Sequence, residues 1–274
     1  MIINTTHDRP RSIARGWLSR VLLIVSLLII GAFLFSPPWT VLGKTRLVGY
    51  AICHQIPERS FHIAGHQLPL CARCSGTFLG ALVGFTVMTV PGPRRPGNLP
   101  SALITVIIIC FIGLMGIDGI NSYLTLFPDV PHLYEPQNWL RLTTGMLNGL
   151  ALSAIVYPVF NYSLWRDATD TPSVKGFKEL GLMVAISGIV AVLVVLQLPP
   201  LLHPLAILST LGVLLMLAAL NTVIVLAVTG REHYASTWQQ AVLPMIVGLA
   251  AAFLEIGAID VVRTVATRAA GFPF

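Results

Sequence analysis

Long apolar runs, broken by short polar stretches rich in proline, set the pattern of this chain. Seven runs have the length of helices, at about residues 18–35, 75–90, 101–126, 139–160, 179–198, 205–228 and 239–262. The hydrocarbon core of a bilayer, about 30 Å thick, takes roughly 20 apolar residues of helix. Each run is therefore expected to span a membrane, the second being the shortest. Pro37-Pro38, "PGPRRPGNLP" and "LPPLLHP" interrupt the runs where turns are needed. Trp17, Trp39, Trp139, Trp165 and Trp238 fall at or just beyond run ends, where an amphipathic indole settles in a bilayer. The first run follows Arg9, Arg11, Arg15 and Arg20, as the apolar core of a signal peptide would. "FSPPW" rather than a small-residue cleavage site comes after it, so an uncleaved helix is expected. No internal repeat or low-complexity segment is visible. The expected fold is all-α, a polytopic transmembrane helical bundle of about seven spans. Residues 1–274 are expected to form a single integral membrane domain, with 53–76 a Cys/His-rich loop inside it.

Composition sharpens this expectation. Hydrophobic residues make up 55% of the chain and charged ones 10%, with a mean hydropathy of +0.81. Soluble domains carry about 25% charged residues, so the partner this surface calls for is a lipid bilayer. The formal charge of +6 does not imply nucleic acid, because excess Lys and Arg in membrane proteins gather in cytoplasmic loops. An N-terminus on the cytoplasmic side places the four N-terminal arginines, Arg94, Arg95, Arg166, Lys175, Lys178 and Arg231 inside. Lys44, Arg46, Arg59, Arg73, Arg141, Arg263 and Arg268 then lie outside. That modest bias places residues 53–76 on the extracytoplasmic side, and the expected location is the inner membrane of a prokaryote. The sequence names no protein partner.

Charges inside membrane helices are costly and mark function or pairing. Asp118, Arg141 and Glu255 lie inside or at the edge of the expected spans. Alternating topology sends all three, with Asp260, toward the same face as the 53–76 loop. Asp118, Asn121, Ser122 and Thr125 share one helical face, and so do Asn138, Arg141, Gly145 and Asn148. Gly76, Gly80 and Gly84 on the second run and Gly145 and Gly149 on the fourth predict close helix contact. A tight bundle of the second, third and fourth runs is expected beneath the loop. Asp118 either pairs with Arg141 as a buried bridge or takes part directly in a site.

The loop "CHQIPERSFHIAGHQLPLCARCSG" holds three of the four cysteines. Cys71-x-x-Cys74 with Cys53 upstream supplies three thiols, and His54, His62 or His66 a fourth ligand. Three Cys and one His form a tetrahedral zinc set. Arg73 and the start of the following helix favour thiolate there. Adjacent side chains such as Cys53 and His54 diverge, so only one of them is expected to touch an ion. Two other readings stand beside the metal: a structural disulfide of Cys53 with Cys71 or Cys74, and a redox dithiol, which lacks thioredoxin-like context. Cys110, inside an apolar run, reads as a buried small hydrophobe. His7, His203 and His233 sit in turns or tails, and His132 with Glu135 in a solvated loop.

The same stretch resembles the signature of a family of multi-spanning membrane proteins, domain of unknown function 2085. The first block of the resemblance falls on Cys53, His54, Gln55, Pro57, Arg59, Ser60, Phe61, Cys71, Arg73, Cys74 and Gly76. The second, looser block falls on Asp118, Gly119, Asn138, Arg141 and Gly145, and the last three runs match nothing in it. The resemblance implies a membrane protein with a shared site over roughly residues 53–160, and no reaction.

Together these readings predict a membrane protein with a metal site, zinc being the expected cofactor. Cys53, Cys71 and Cys74 are its ligands, with His54 or a neighbour as fourth ligand or support. Arg59, Arg73, Asn138 and Arg141 orient the loop or receive an anionic group, and Asp118, Arg141 and Glu255 are the catalytic candidates. The alternatives are a small-solute transporter or channel lined by Asp118, Arg141 and Glu255, and a membrane thiol-disulfide oxidoreductase.

Overall fold

A computed structural model describes residues 9–269 apart from 91, 93, 128 and 129. His7 lies outside the described residues, as do the side chains of Arg9, Arg11, Arg15 and Arg268 that enter the charge argument. Helix α1 (Arg9–Phe35) is followed by a short α2 (Val41–Ile52) and a hairpin of β1 (His62–Ile63) with β2 (His66–Gln67). Helix α3 (Ala72–Thr89), strand β3 (Pro96–Asn98), α4 (Ala102–Leu124) and α5 (Asn138–Leu164) come next. Strand β4 (Thr169–Pro172), α6 (Phe177–Val195), α7 (Leu202–Val228) and α8 (Trp238–Ala269) complete the order. All seven apolar runs are helical, and the protein is a helical polytopic bundle. Helices α1, α4, α5, α6, α7 and α8 are long and apolar enough to cross a membrane. Helix α3 falls just outside that class and lies at the centre, packed on α5, α7 and α6. Helix α2 is an addition to the sequence reading, too short to stand out as a run. Thr40 caps it by accepting from the Gly43 N–H at 3.1 Å.

Glycines decide how closely the central helices meet. A Cβ on Gly149 would stand 2.0 Å from the Thr77 carbonyl oxygen, and one on Gly80 2.3 Å from that of Met146. With Gly76 and Gly145, they seat α3 and α5 backbone against backbone, the close approach that small residues at four-residue spacing permit. Within the expected three-helix group, α3 meets α5 directly, while α4 packs on α5 and reaches α3 through side chains.

Proline inside α5 shows how such a bundle repairs a broken hydrogen-bond ladder. Pro158 has no N–H to give to the Ala154 carbonyl. The buried Ser173 hydroxyl donates to that oxygen instead, at 2.8 Å.

The outer faces of α1, α4 and α6 are apolar, with Leu28, Ile120 and Ile189 exposed, as lipid contact requires. Cys110 stands on such a face and is exposed, against the expectation of a buried thiol. The buried face of α4 carries Ile104, Ile108, Asp118, Asn121 and Ser122, and Cys110 falls off that stripe. Trp165 departs from the interfacial role in a similar way. It is buried beneath the Arg95 guanidinium, 3.6 Å from the ring centre, and meets Trp238 edge-on at 4.8 Å.

Candidate functional site

The chain reverses at each span, and one end of the bundle collects α2, residues 53–71, the start of α3, the end of α4, the start of α5 and the end of α8. Helix α2 delivers Cys53, whose N–H still donates to the Gly49 carbonyl at 2.8 Å. The backbone then turns extended at Cys53 (φ −125°, ψ 146°). In extended backbone neighbouring side chains point to opposite sides. Cys53 is accordingly buried and His54 exposed. The β1–β2 hairpin turns through Ala64 and Gly65, both at positive φ, the geometry that two-residue hairpins favour. Gln55 donates to the Arg46 and Pro69 carbonyls at 3.1 and 2.8 Å, and Gln67 donates to the Gln55 carbonyl at 2.8 Å. Side-chain amides thus fold the loop back onto α2.

That folding brings the Cys53, Cys71 and Cys74 sulfurs within 4.8 Å of one another, and all three are free thiols. Cys71 is the N-cap of α3. Its N–H donates to the Cys53 sulfur at 3.2 Å, and the Gln55 N–H does so at 3.5 Å. Hydrogen bonds from the Cys71 and Cys74 thiols hold the Cys53 thiol far down, to about 2. The same bond to Cys53 pushes the Cys71 thiol up to about 11. Val48, Leu70, Val213 and Ile256 enclose the cluster. Three sulfurs that share protons across so small a space suit a single soft cation.

Beside the thiols lies a second network. Arg73 leaves the thiol cluster and forms an ion pair with Asp118, with Nε 3.1 Å from Oδ2. Asp118 is 1% exposed and also accepts from the Tyr134 hydroxyl at 2.9 Å and the Thr144 hydroxyl at 3.4 Å. The partner of Asp118 is therefore Arg73, in place of the expected Arg141. Arg141 donates to Asn138 Oδ1 at 2.8 Å and to Ser122 Oγ at 3.3 Å. Arg73 donates to that same hydroxyl at 2.9 Å. Asn138 ties this network to the loop by donating to the Glu58 and Ser60 carbonyls at 3.1 and 3.4 Å. Asn121 performs the matching task for the α4–α5 connection, accepting from the Leu133 N–H at 2.6 Å and donating to the Tyr134 carbonyl at 2.8 Å. Burial and the bond to Asp118 hold the Tyr134 phenol above its usual value.

Other expected site residues are not brought in. His54 does not join the thiol group; its Nδ1 accepts the Ile56 N–H at 2.9 Å. His62 and His66 are exposed on the hairpin. Glu255 accepts from Asn221 of α7 at 2.9 Å, and α8 packs on α7, α1 and α2. No hydrogen bond or ion pair among the described residues joins Glu255 to Asp118 or Arg141. His132 and Glu135 pair with each other at 2.9 Å in an exposed loop.

Comparison with known proteins bears on these same residues. A family model described as "Predicted membrane protein (DUF2085)" matches residues 53–155. An uncharacterised protein of Methanocaldococcus jannaschii is 30% identical over 158 residues, which cover 53% of this chain and 95% of that protein. The chain belongs to the DUF2085 family. An uncharacterised protein of Methanothermobacter thermautotrophicus is 31% identical over 105 residues, 38% of this chain and 83% of that protein. No solved structure matches the chain. The matched DUF2085 segment contains the thiol cluster, Arg73, Asp118, Asn138 and Arg141.

Two residues at the site had no signal in the sequence. Arg263 of α8 donates to the Tyr50, Cys53 and His54 carbonyls and lies over the Tyr50 ring at 4.0 Å. It caps α2 where a cation suits the negative end of the helix. Tyr134 comes from a connection without periodicity. For Asn138, replacement by alanine frees the Glu58 and Ser60 carbonyls and costs about 1–2 kcal/mol. Limited proteolysis near residues 57–61 is expected to quicken severalfold in that variant, and an unchanged cleavage rate would refute the clamp.

Proposed function

We propose that Cys53, Cys71 and Cys74 together hold one zinc ion at the extracytoplasmic membrane face. The observation that carries this reading is three free sulfurs within 4.8 Å in an apolar enclosure. Three Cys ligands match the donor set of four-coordinate zinc, with one position left for a further ligand. When bound, such an ion supplies Lewis acidity or a structural clasp. The chain's own contribution is to present the sulfurs: α2 through Cys53, and the first turn of α3 through Cys71 and Cys74. Asp118 accepts hydrogen bonds at both oxygens, so it positions Arg73 and Tyr134 in this reading and does not serve as a base. The disulfide and redox readings compete for the same thiols.

Elemental analysis of the purified protein tests the proposal. About one zinc per chain is expected, as a closed structural or open catalytic zinc site would hold. Cys71→Ser is expected to lose at least nine-tenths of it, and Cys110→Ser to keep it. A parallel thiol count is expected to find the three thiols shielded until a chelator is added. Metal-free protein with a reversible Cys71–Cys74 disulfide would replace this reading with the redox one.

A further inference from the structure

We infer that the arginines beside the thiol cluster form a receptor for an oxyanion of the phosphate class. Arg141 is 7% exposed, and no carboxylate among the described residues lies within ion-pair distance of it. A buried guanidinium without a counter-ion is strongly unfavourable, and a buried charge near the end of a membrane helix marks a ligand or pathway. Asp118 does not supply the missing charge, because Arg73 already holds it in an ion pair.

Geometry brings further positive charge to the same place. Arg73 and Arg141 both donate to Ser122 Oγ, at 2.9 and 3.3 Å, so two guanidiniums converge on one hydroxyl. Arg59 belongs to the loop segment that Asn138 anchors. The carbonyls flanking it, of Glu58 and Ser60, are the ones that the Asn138 amide holds, while Arg141 donates to the opposite end of that amide. The Arg59 side chain is half-buried and makes no hydrogen bond or ion pair among the described residues. The side chain of neighbouring Glu58 is exposed and pairs with nothing among the described residues. Arg141 commits Nε and Nη1, and its Nη2 has no hydrogen-bond acceptor among the described residues. Arg59, Arg73 and Arg141 thus gather at this end, where Asp118 pairs with Arg73 alone, and two positive charges stay without an ion-pair partner among the described residues. Three thiolates around a divalent ion would add only one negative charge, so the excess stands with or without the metal. The first turns of α3 and α5 both open at this end, and helix N-termini favour anions as well.

An acceptor that carries two negative charges and several oxygens in fork-matching geometry fits this arrangement. A phosphate monoester has that chemistry, either as a free solute or as the head group of a lipid at the membrane face. The receptor does not depend on the zinc reading.

The test uses full-length protein in neutral detergent, with Tm followed at constant ionic strength. Inorganic phosphate and phosphatidic acid in mixed micelles are the two probes, with acetate and phosphatidylcholine as their controls. A ligand that binds only the folded state raises Tm in a saturable way. Saturation by phosphate supports a receptor open to solutes, and saturation by phosphatidic acid alone supports one fed from the lipid. In either case Arg59→Gln, which removes no internal hydrogen bond, is expected to weaken the probe at least tenfold. Arg141→Lys, which keeps the charge but loses the fork, is expected to do the same if it folds. Cys71→Ser is expected to keep the response, so loss of metal and loss of the oxyanion are read separately. No saturable response to either probe, an equal response to acetate, or an Arg59→Gln variant with undiminished affinity would overturn the inference.

Discussion

Gly149→Ala is expected to lower the melting temperature of the bundle more than any other single-methyl change in the protein. Alanine is the better helix former by about 1 kcal/mol, so local propensity alone favours the substitution. Tertiary packing reverses the sign. The added Cβ would lie 2.0 Å from the Thr77 carbonyl oxygen and 2.6 Å from the Ala81 nitrogen. Both atoms belong to the α3 backbone and cannot rotate away. Relief requires α3 and α5 to separate along their whole contact, which also loosens Gly76 against Leu142 and Gly145 against Arg73. Overpacking in a core costs about 1–3 kcal/mol, occasionally more, and a clash with fixed backbone belongs at the upper end. Gly84→Ala is expected to be milder, because its nearest neighbour at 1.9 Å is the Ser153 hydroxyl, which can turn. Gly113→Ala on α4 meets nothing within 4 Å and serves as control, with Tm unchanged or raised. Thermal unfolding of the detergent-solubilised variants decides the matter. A Gly149→Ala protein as stable as the Gly113→Ala control would refute the backbone contact between α3 and α5.

Asp118→Asn is expected to cost about 3–5 kcal/mol, the range for breaking one side of a buried ion pair. The amide is isosteric, yet it removes the charge opposite Arg73. Its Nδ2 or Oδ1 must also face donors from Arg73, Thr144 and Tyr134. The amide can keep its oxygen toward Arg73 only by turning its NH2 to the Tyr134 hydroxyl, which must then accept instead of donate. The double variant Arg73→Met with Asp118→Leu is expected to recover much of the loss, because an apolar pair of similar volume often matches a buried salt bridge. A double-mutant cycle in Tm measures the coupling. A single variant as stable as the parent would show that Asp118 is not paired in solution. A stable double variant that binds the proposed zinc as the parent does would place the pair in the scaffold and leave the ligand set to the cysteines.

Much of the architecture is legible in the residues themselves. The length of each apolar run gives its helix, because a backbone in lipid must satisfy its hydrogen bonds within the segment. The polar stripe of Asp118, Asn121 and Ser122 follows from helical spacing, and all three are buried as that stripe requires. Small residues four apart announced the α3–α5 contact. The divergence of Cys53 and His54 followed from their adjacency, and the structure turns one inward and the other out.

Pairing between elements was not legible. Periodicity says which residues share a face of one helix, and it does not say which neighbour that face meets. The sequence offered Arg141 as the partner of Asp118, and only the seating of α3 on α5 decided for Arg73. Cys110 lies in an unbroken apolar run, where no polar contrast distinguishes a lipid-facing position from a core one. Arg263 reaches the α2 carbonyls from the far end of the chain, and Glu255 turns to Asn221.

The sequence by itself determined a multi-span helical membrane protein with its thiols gathered at one end, since run length and spacing are local properties. Only the tertiary structure decided that the three loop sulfurs meet without a histidine, which arginine neutralises Asp118 and which is left without a counter-ion among the described residues. Those outcomes depend on the rotation and spacing of helices distant in sequence, and close backbone contact at glycine sets both.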